Sequence, residues 1–342
     1  MLSILVTVVG LGLLIAAHEA GHLVLARLLG MRVETYSLGF GPRLAGFRRG
    51  DTDYRLSAFP LGGYCKIAGF SPDEPAAQDP TDVGSYANKS AWRRFLVIAA
   101  GPGVNYLLAI GIIAALYATR GFIDLSARQI DVVAGSPAAS AGLSTGDEVV
   151  AVDGTPVQTF DDLRRELLRP QAPPQREVDV LRDGARRSVR ITPEGGRIGV
   201  TRSKVLLRMP LRKALPRAVK DVWEITAGTL TAIGSIFRGH VESLAGPIGI
   251  VKQASAEVRR GLGEFAEVLA TISVELAIFN FLPVPALDGG RLVFLGIELL
   301  SGRKVNQRAE TVVHLVGFLL LLGLVLAVTL FGDLQLGKKL FR

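Results

Sequence analysis

The sequence predicts a multi-pass α-helical membrane protein with four transmembrane helices, a cytoplasmic β region and one inserted soluble α+β domain. Apolar residues make up 49% of the 342 residues, and the mean hydropathy is +0.36, which is high for a chain with 20% charged residues. The apolar residues are concentrated in four stretches, each long enough to supply the roughly 20 residues that a membrane span needs. The polar segments between them carry the short apolar runs and turn residues that are typical of strands.

The four apolar stretches differ in how cleanly they satisfy the requirements of a span. The second, Phe95 to Ala118, has no charged residue, and the fourth, Val312 to Phe331, carries only His314 as an ionisable group. The first, about Leu2 to Leu29, contains charged and imidazole side chains, and the third, about Phe265 to Leu300, is broken by prolines and glycines. These two can cross only if their polar residues face protein or water. The first lacks a basic leading region and a small-residue cleavage site, so we expect a retained span.

These patterns divide the chain into four predicted regions. Residues 1–119 hold the first two spans, with a membrane-associated β region at 30–94, and residues 120–205 form the soluble domain. Residues 206–264 contain an amphipathic helical stretch that could lie on a membrane surface, and residues 265–342 hold the last two spans. In the β region we expect three short strands at Arg43–Phe47, Asp53–Phe59 and Tyr64–Ile67.

Lysines and arginines set the predicted orientation, because short loops that carry them are retained in the cytoplasm. The loop between the first two spans carries nine such residues: Arg32, Arg43, Arg48, Arg49, Arg55, Lys66, Lys89, Arg93 and Arg94. The loop after the third span carries Arg303, Lys304 and Arg308. We therefore expect both loops in the cytoplasm, and the N-terminus, the soluble domain and the C-terminus outside it.

The composition also excludes several classes of protein. The net charge of +8 is attributed to basic residues that flank spans and coat one domain, and no finger motif or interleaving of aromatic and basic residues supports nucleic-acid binding. The single cysteine, Cys65, rules out a disulfide framework and a cysteine zinc site within one chain.

The first stretch contains the sequence His18-Glu19-Ala20-Gly21-His22. Residues four apart lie on one face of a helix, so both imidazoles can reach one zinc ion. Glu19 lies beside them and can take a proton from a zinc-bound water. The alternative, two histidines satisfied by helix packing, is weak because an apolar span would then bury three costly groups without binding anything.

A third ligand should come from another span, because zinc in hydrolases usually has three protein ligands and one open position. The remaining carboxylates within the spans are all in the third stretch: Glu267, Glu275, Asp288 and Glu298. Asp288 follows two prolines and precedes two glycines, and irregular backbone at membrane depth is tolerated where it lines a cavity. Asp288 is therefore the preferred candidate, and a plain helix cap is the alternative role.

Six segments carry a resemblance to a known family. They are HEAGH at 18–22, FPLGGYCKIAG at 59–69, KSAWRRFLVIAAGPGVN at 89–105, SPAASAGLSTGDEVVAVDG at 136–154, AGPIGI at 245–250 and NFLPVPALDGGR at 280–291. They occur in family order and cover nearly the whole chain. The chain resembles the site-2 proteases, which are intramembrane zinc metalloproteases, and specifically the bacterial type that regulates envelope-stress sigma factors.

The resemblance implies a role for several residues. Asp288 would be the third zinc ligand, Asn105 would contact substrate or stabilise the oxyanion, and Asn280 would hold the substrate backbone. The β region, with Gly62 and Gly63, would receive the substrate as an added strand. The implied cofactor is Zn²⁺. The implied partners are the lipid bilayer and single-span membrane proteins of the anti-sigma factor or signal-peptide class, in the bacterial inner membrane.

The soluble domain resembles a PDZ domain through the segment at 136–154. Such a domain could bind an extended peptide at a sheet edge, with Ala127–Val133 as the nearest candidate for a carboxylate-binding loop, or it could act as a size filter. One such domain is present where some relatives carry two in tandem. Glu275 stands where many relatives have asparagine, and its role stays open.

The predicted mechanism is metal-assisted peptide hydrolysis with Glu19 as the general base. A non-catalytic membrane scaffold with a PDZ-like domain is the alternative, but the intact His, Glu, His and Asp set favours an enzyme. A transporter would also have broken helices and buried charge, but it predicts internal symmetry, which the sequence lacks.

Overall fold

The computed structural model describes residues 2–123, 128–169, 173–194, 197–203, 206–236 and 246–333. The chain divides into two compact units. The first comprises Met1–Leu116 and Leu211–Arg342, and the second comprises Tyr117–Pro210. The predicted boundaries of the four regions stay predictions.

The first unit begins with helix α1, Leu2–Leu28, which leads into two long strands, β1 at Val33–Arg49 and β2 at Thr52–Ile67. The strands pair from Val33 opposite Ile67 to Arg49 opposite Thr52, with several shifts of register. Because of these shifts, residues 36–38 of β1 pair with residues 54–56 on one side and with residues 63–65 on the other. The predicted three short strands are therefore wrong in number and length.

Three elements follow: the short helix α2 at Pro75–Gln78, a 3₁₀ turn at Tyr86–Asn88, and the long helix α3 at Ala91–Thr119. Tyr36 fixes the sheet to α1, since its hydroxyl donates to the Ala16 carbonyl at 2.7 Å. The apolar residues of α1, β1, β2 and α3 that pack together in this unit are Leu23, Ala26, Val33, Ile67, Val97 and Ile98. This packing holds the start of the β sheet against the helix that carries the histidines.

The second unit is a small α+β fold. Its elements are β3 (Phe122–Ile123), β4 (Ile130–Val132), α4 (Pro137–Ser140), β5 (Glu148–Val152), β6 (Thr155–Pro156), α5 (Phe160–Leu167), β7 (Arg176–Arg182), β8 (Ala185–Ile191), β9 (Val200–Arg202) and β10 (Leu206–Leu207). One sheet has four strands in the order β6-β5-β7-β8. Two further sheets have two strands each, β4 with β9 and β3 with β10. Alternate residues of β7, Val178 and Val180, pack with Leu163 of α5 in the core. The identity of this unit as a PDZ-like domain stays a prediction.

The chain then returns to the first unit through five helices. They are α6 (Leu211–Ile236), α7 (Pro247–Arg260), α8 (Leu262–Phe281), α9 (Asp288–Ser301) and α10 (Gln307–Ala327), which is extended by a π-helical turn at Val328–Asp333. The third apolar stretch is thus two helices joined by the bend Leu282–Leu287. Pro283 and Pro285 lie in this bend and cannot donate the backbone hydrogen bonds that a continuous helix needs.

Among the described residues, three helices are long and apolar enough to cross a membrane. They are α1, α3 and the segment Arg308–Leu330, with mean hydropathies of 2.0, 2.0 and 2.6. Helix α8 is also 20 residues long, but Glu264, Glu267 and Glu275 lie along it and lower its apolar character. The structure therefore supports a helical membrane protein with two sheet-containing regions, and the span predicted from the third apolar stretch stays a prediction.

Candidate metal centre

Three predicted ligands meet where α1 faces the N-terminus of α9. The Oδ2 atom of Asp288 lies 3.0 Å from Nε2 of His18 and 3.3 Å from Nε2 of His22, and the two Nε2 atoms are 3.3 Å apart. A tetrahedral zinc ion with bonds of about 2.0–2.1 Å separates its ligand atoms by about 3.3 Å. The three side chains therefore fit one zinc ion, and His–His–carboxylate is a donor set that zinc uses in hydrolases.

Two glycines allow α1 and α3 to approach closely at this point. A Cβ atom on Gly101 would lie 2.7 Å from Nε2 of His18 and would also overlap the His22 ring. A Cβ atom on Gly21 would lie 2.8 Å from the carbonyl carbon of Ala100. Both distances are shorter than real Cβ contacts, so these positions require glycine.

The second ring nitrogens of the two histidines have partners on α3. Nδ1 of His22 lies 2.8 Å from the Val97 carbonyl, which can only accept, so that nitrogen carries the proton and Nε2 is left with its lone pair. Nδ1 of His18 lies 3.1 Å from the side-chain amide of Asn105. Metal-binding histidines are commonly oriented by such partners.

Asn105 is fully buried behind the His18 ring. The Ser273 hydroxyl of α8 donates to the backbone carbonyl of Asn105 at 2.9 Å. The side-chain Oδ1 of Asn105 has no hydrogen-bond partner within the part of the chain that the structure describes. A His18 ring that binds metal through Nε2 carries its proton on Nδ1 and needs an acceptor there, which a half-turn of the Asn105 amide supplies. The predicted contact of Asn105 with substrate stays a prediction.

Glu19 lies between the histidines and the sheet. The backbone N–H of Cys65 in β2 faces its carboxylate. A Cβ atom on Gly63 would lie 3.4 Å from Cγ of Glu19 and 2.9 Å from the Ser37 carbonyl oxygen, so this glycine lets β2 lie directly against Glu19. Gly62 has φ +119°, a conformation that favours glycine, and packs against the Phe40 ring.

Asn280, which was predicted to hold the substrate backbone, lies outside the metal group, and that role stays a prediction. Asn280, near the C-terminus of α8, donates from its side chain to the Leu276 carbonyl of its own helix at 2.9 Å. Sequence reasoning missed His314 of α10, which accepts a hydrogen bond from the backbone N–H of Ala286, two residues before Asp288. A histidine in an otherwise apolar span was the signal that could have indicated it.

The second unit contains an apolar groove of about 800 Å³ between α5 and residues 197–202. Phe160 and Leu167 line it from α5 and Val200 from β9. At one end Arg202 forms an ion pair with Asp161 at 2.9 Å. Within the predicted carboxylate-binding loop, Val133 lines this groove, but Ala127 lies outside the described residues. Peptide binding here stays a prediction.

Comparisons with known proteins agree with one another. The model of peptidase family M50 matches residues 6–324. A protein of Agrobacterium fabrum that is named as a zinc metalloprotease is 33% identical, over 93% of this chain and 92% of its own length. Similarly named proteins of Clostridium perfringens and a Nostoc species are 32% and 34% identical, over 93% and 94% of this chain and 94% and 93% of their own lengths.

Proposed function

Because the chain belongs to peptidase family M50, the site-2 proteases, and is a zinc metalloprotease of the membrane, we propose that it cuts single-span membrane proteins in or near their transmembrane segments. The observation that carries this proposal is the triangle of His18, His22 and Asp288 ligand atoms, with edges of 3.0–3.3 Å. Two corners of the triangle, His18 and His22, lie on α1, a helix apolar and long enough to cross the membrane. A peptide bond hydrolysed there would lie at membrane depth.

His18, His22 and Asp288 would hold the zinc ion, and Glu19 would act as the general base. When bound, zinc supplies Lewis acidity that polarises the scissile carbonyl and lowers the pKa of a water toward about 7. Glu19 takes the proton of the attacking water and passes it to the leaving amine. The close approach of Gly63 in β2 keeps the Glu19 side chain in place beside the histidines.

Strand β2 offers a site for the substrate. Residues 63–67 pair with β1 along one side, and no described strand pairs along the other. A helical substrate must be unwound before its carbonyl can reach the metal, and an open strand edge supplies backbone hydrogen bonds to the unwound segment. The contact of this strand with Glu19 supports substrate addition at Gly62–Lys66 as the step before hydrolysis.

The proposed location is the bacterial inner membrane, with β1 and β2 in the cytoplasm and the N-terminus, second unit and C-terminus outside it. This orientation rests on the lysines and arginines that flank the spans. The C-terminal residues 334–342 lie outside the described residues. The proposed substrates are anti-sigma factors or remnants of signal peptides. Helices α8 and α9 would together form the span of the third apolar stretch, broken at Leu282–Leu287.

Removal of the metal tests the proposed function. In proteoliposomes with a tagged single-span substrate, treatment with a zinc chelator should abolish cleavage, and added Zn²⁺ should restore it, because zinc supplies the electrophile. Elemental analysis should give one zinc per chain before treatment. A metal-free preparation that still cuts would rule out the mechanism. Bound zinc and bound substrate without cleavage would support the alternative, a membrane scaffold that does not catalyse.

Substitution of Asn105 tests its relation to His18. Asn105→Leu should weaken zinc binding by about 10–100-fold, the usual effect of losing a group that orients a metal-binding histidine. Asn105→Asp should keep or strengthen zinc binding, because a carboxylate accepts the Nδ1 proton of His18 more strongly. Zinc affinity is measured by competition with a chelating dye. If both variants bind zinc normally but lose cleavage, Asn105 acts on the substrate or oxyanion instead.

A further inference from the structure

The bend that precedes Asp288 is in a conformation that its own sequence does not favour. Ala286 has φ +77°, in the left-handed region that residues with a side chain rarely adopt. Within the bend, the Leu287 N–H donates to the Val284 carbonyl at 3.2 Å, and the Gly290 N–H at the start of α9 donates to the Leu287 carbonyl at 3.2 Å. The bend and the first turn of α9 are therefore linked, so a change at Ala286 reaches Asp288.

Helix α10 supplies the contact that holds this conformation. Nδ1 of His314 accepts a hydrogen bond from the Ala286 N–H at 3.0 Å. An amide N–H can only donate, so Nδ1 must carry the lone pair, and the proton of the neutral ring lies on Nε2. That Nε2 is buried and has no hydrogen-bond partner in the described ranges. The His314 side chain lines a polar cavity of about 160 Å³, together with Arg291 and Glu310.

One turn further along α10, Gly317 lies against the same bend. A Cβ atom on Gly317 would lie 2.9 Å from both the carbonyl carbon and the carbonyl oxygen of Pro285, closer than real side chains pack. His314 and Gly317 are three residues apart, so they occupy one face of the helix. This face of α10 thus contacts two consecutive residues of the bend, one by a hydrogen bond and one by close packing.

We propose that His314 is a positioning residue for the metal centre. His314 accepts a hydrogen bond from the Ala286 N–H and thereby holds the bend Leu282–Leu287. In this position of the bend, Oδ2 of Asp288 faces the Nε2 atoms of His18 and His22. His314 therefore raises the affinity for zinc without being a ligand, because the ligand atoms that meet in the metal centre belong to His18, His22 and Asp288. This inference rests on the proposed function, in which Asp288 binds zinc.

Two substitutions separate positioning from packing. The substitution His314→Asn places an Oδ1 near the former site of Nδ1, where it can accept a hydrogen bond from the Ala286 N–H. The substitution His314→Leu fills similar space with no acceptor. We expect His314→Leu to weaken zinc binding by about 10–100-fold, as loss of an outer hydrogen-bond partner usually does, and His314→Asn to bind zinc nearly as the unchanged protein does. Zinc affinity is measured on the purified full-length protein by competition with a chelating dye.

Matched controls make the result specific. Leu319→Ala changes an exposed residue of the same helix and should leave zinc affinity unchanged. Thermal unfolding of the zinc-free proteins should be similar for both His314 variants, which excludes a general loss of fold as the cause. Equal zinc affinity in the Leu and Asn variants would overturn the positioning role, whether both are weak or both are normal. Failure of the proposed function can be distinguished from failure of the positioning role. In the first case the unchanged protein would bind no zinc, or would keep its zinc after Asp288→Ala.

Discussion

Replacing Glu19 with glutamine is expected to abolish peptide hydrolysis while the zinc content stays at one ion per chain. The Glu19 carboxylate is not part of the ligand triangle and instead faces the Cys65 N–H at the edge of β2. Glutamine has the same shape and can keep contacts in this region, but it cannot take a proton from water. The expected loss in kcat is about 10²–10⁴-fold, the usual contribution of a general base. Cleavage of a tagged single-span substrate and elemental analysis of the same preparation measure both quantities.

Glu34→Gln is the matched control for this experiment. Glu34 lies in β1 of the same sheet and forms a partly exposed ion pair with Lys66 at 2.8 Å. An identical change of side chain there should leave both cleavage and zinc binding unchanged, since exposed ion pairs contribute little. Full activity of Glu19→Gln would exclude Glu19 as the base. Loss of zinc from that variant would mean that the carboxylate holds the metal instead.

Helical periodicity predicted the histidine half of the candidate site. The four-residue spacing of His18 and His22 places both rings on one face of α1, and the structure has their Nε2 atoms 3.3 Å apart. The pairing with Asp288, which is 270 residues away, cannot be read from any local pattern. It was predicted by elimination among the carboxylates of the spans and by the family resemblance. The geometry agrees with a shared metal, and the ligand role stays a prediction until zinc is measured.

Contacts across the fold limited the rest of the prediction. The prolines indicated a break in the third apolar stretch, but only the structure has α9 beginning at Asp288 itself. The register shifts that let β1 pair on both sides depend on three-dimensional bulges, so short strands were predicted where two long ones occur. Sequence also cannot tell which way an amide turns. Asn105 lies against His18, whereas Asn280 bonds to its own helix, although both are asparagines of conspicuous motifs.

Replacing Asp288 with alanine is expected to reduce the zinc content from one ion per chain to nearly none. The carboxylate supplies one of three protein ligands, and its Oδ2 lies 3.0 and 3.3 Å from the two imidazole nitrogens. Without it two histidines remain, fewer than the three protein ligands of typical zinc hydrolases. Zinc is measured by elemental analysis after gel filtration. Glu267→Ala, which removes an exposed carboxylate from α8, should leave the zinc content unchanged.

The same variant separates zinc binding from the alternative role of Asp288 as a plain helix cap. Asp288 is the first residue of α9, and the N-cap position before it is Leu287, which makes no side-chain hydrogen bond to the helix. A cap would be expected to affect helix stability by about 0.5–2 kcal/mol and to leave zinc bound. Ligation predicts the opposite order of effects: zinc and cleavage are lost together, while the zinc-free protein unfolds at nearly the same temperature as the unchanged zinc-free protein. Unchanged zinc stoichiometry in Asp288→Ala would exclude the carboxylate as a ligand and leave the two histidines without their proposed third partner.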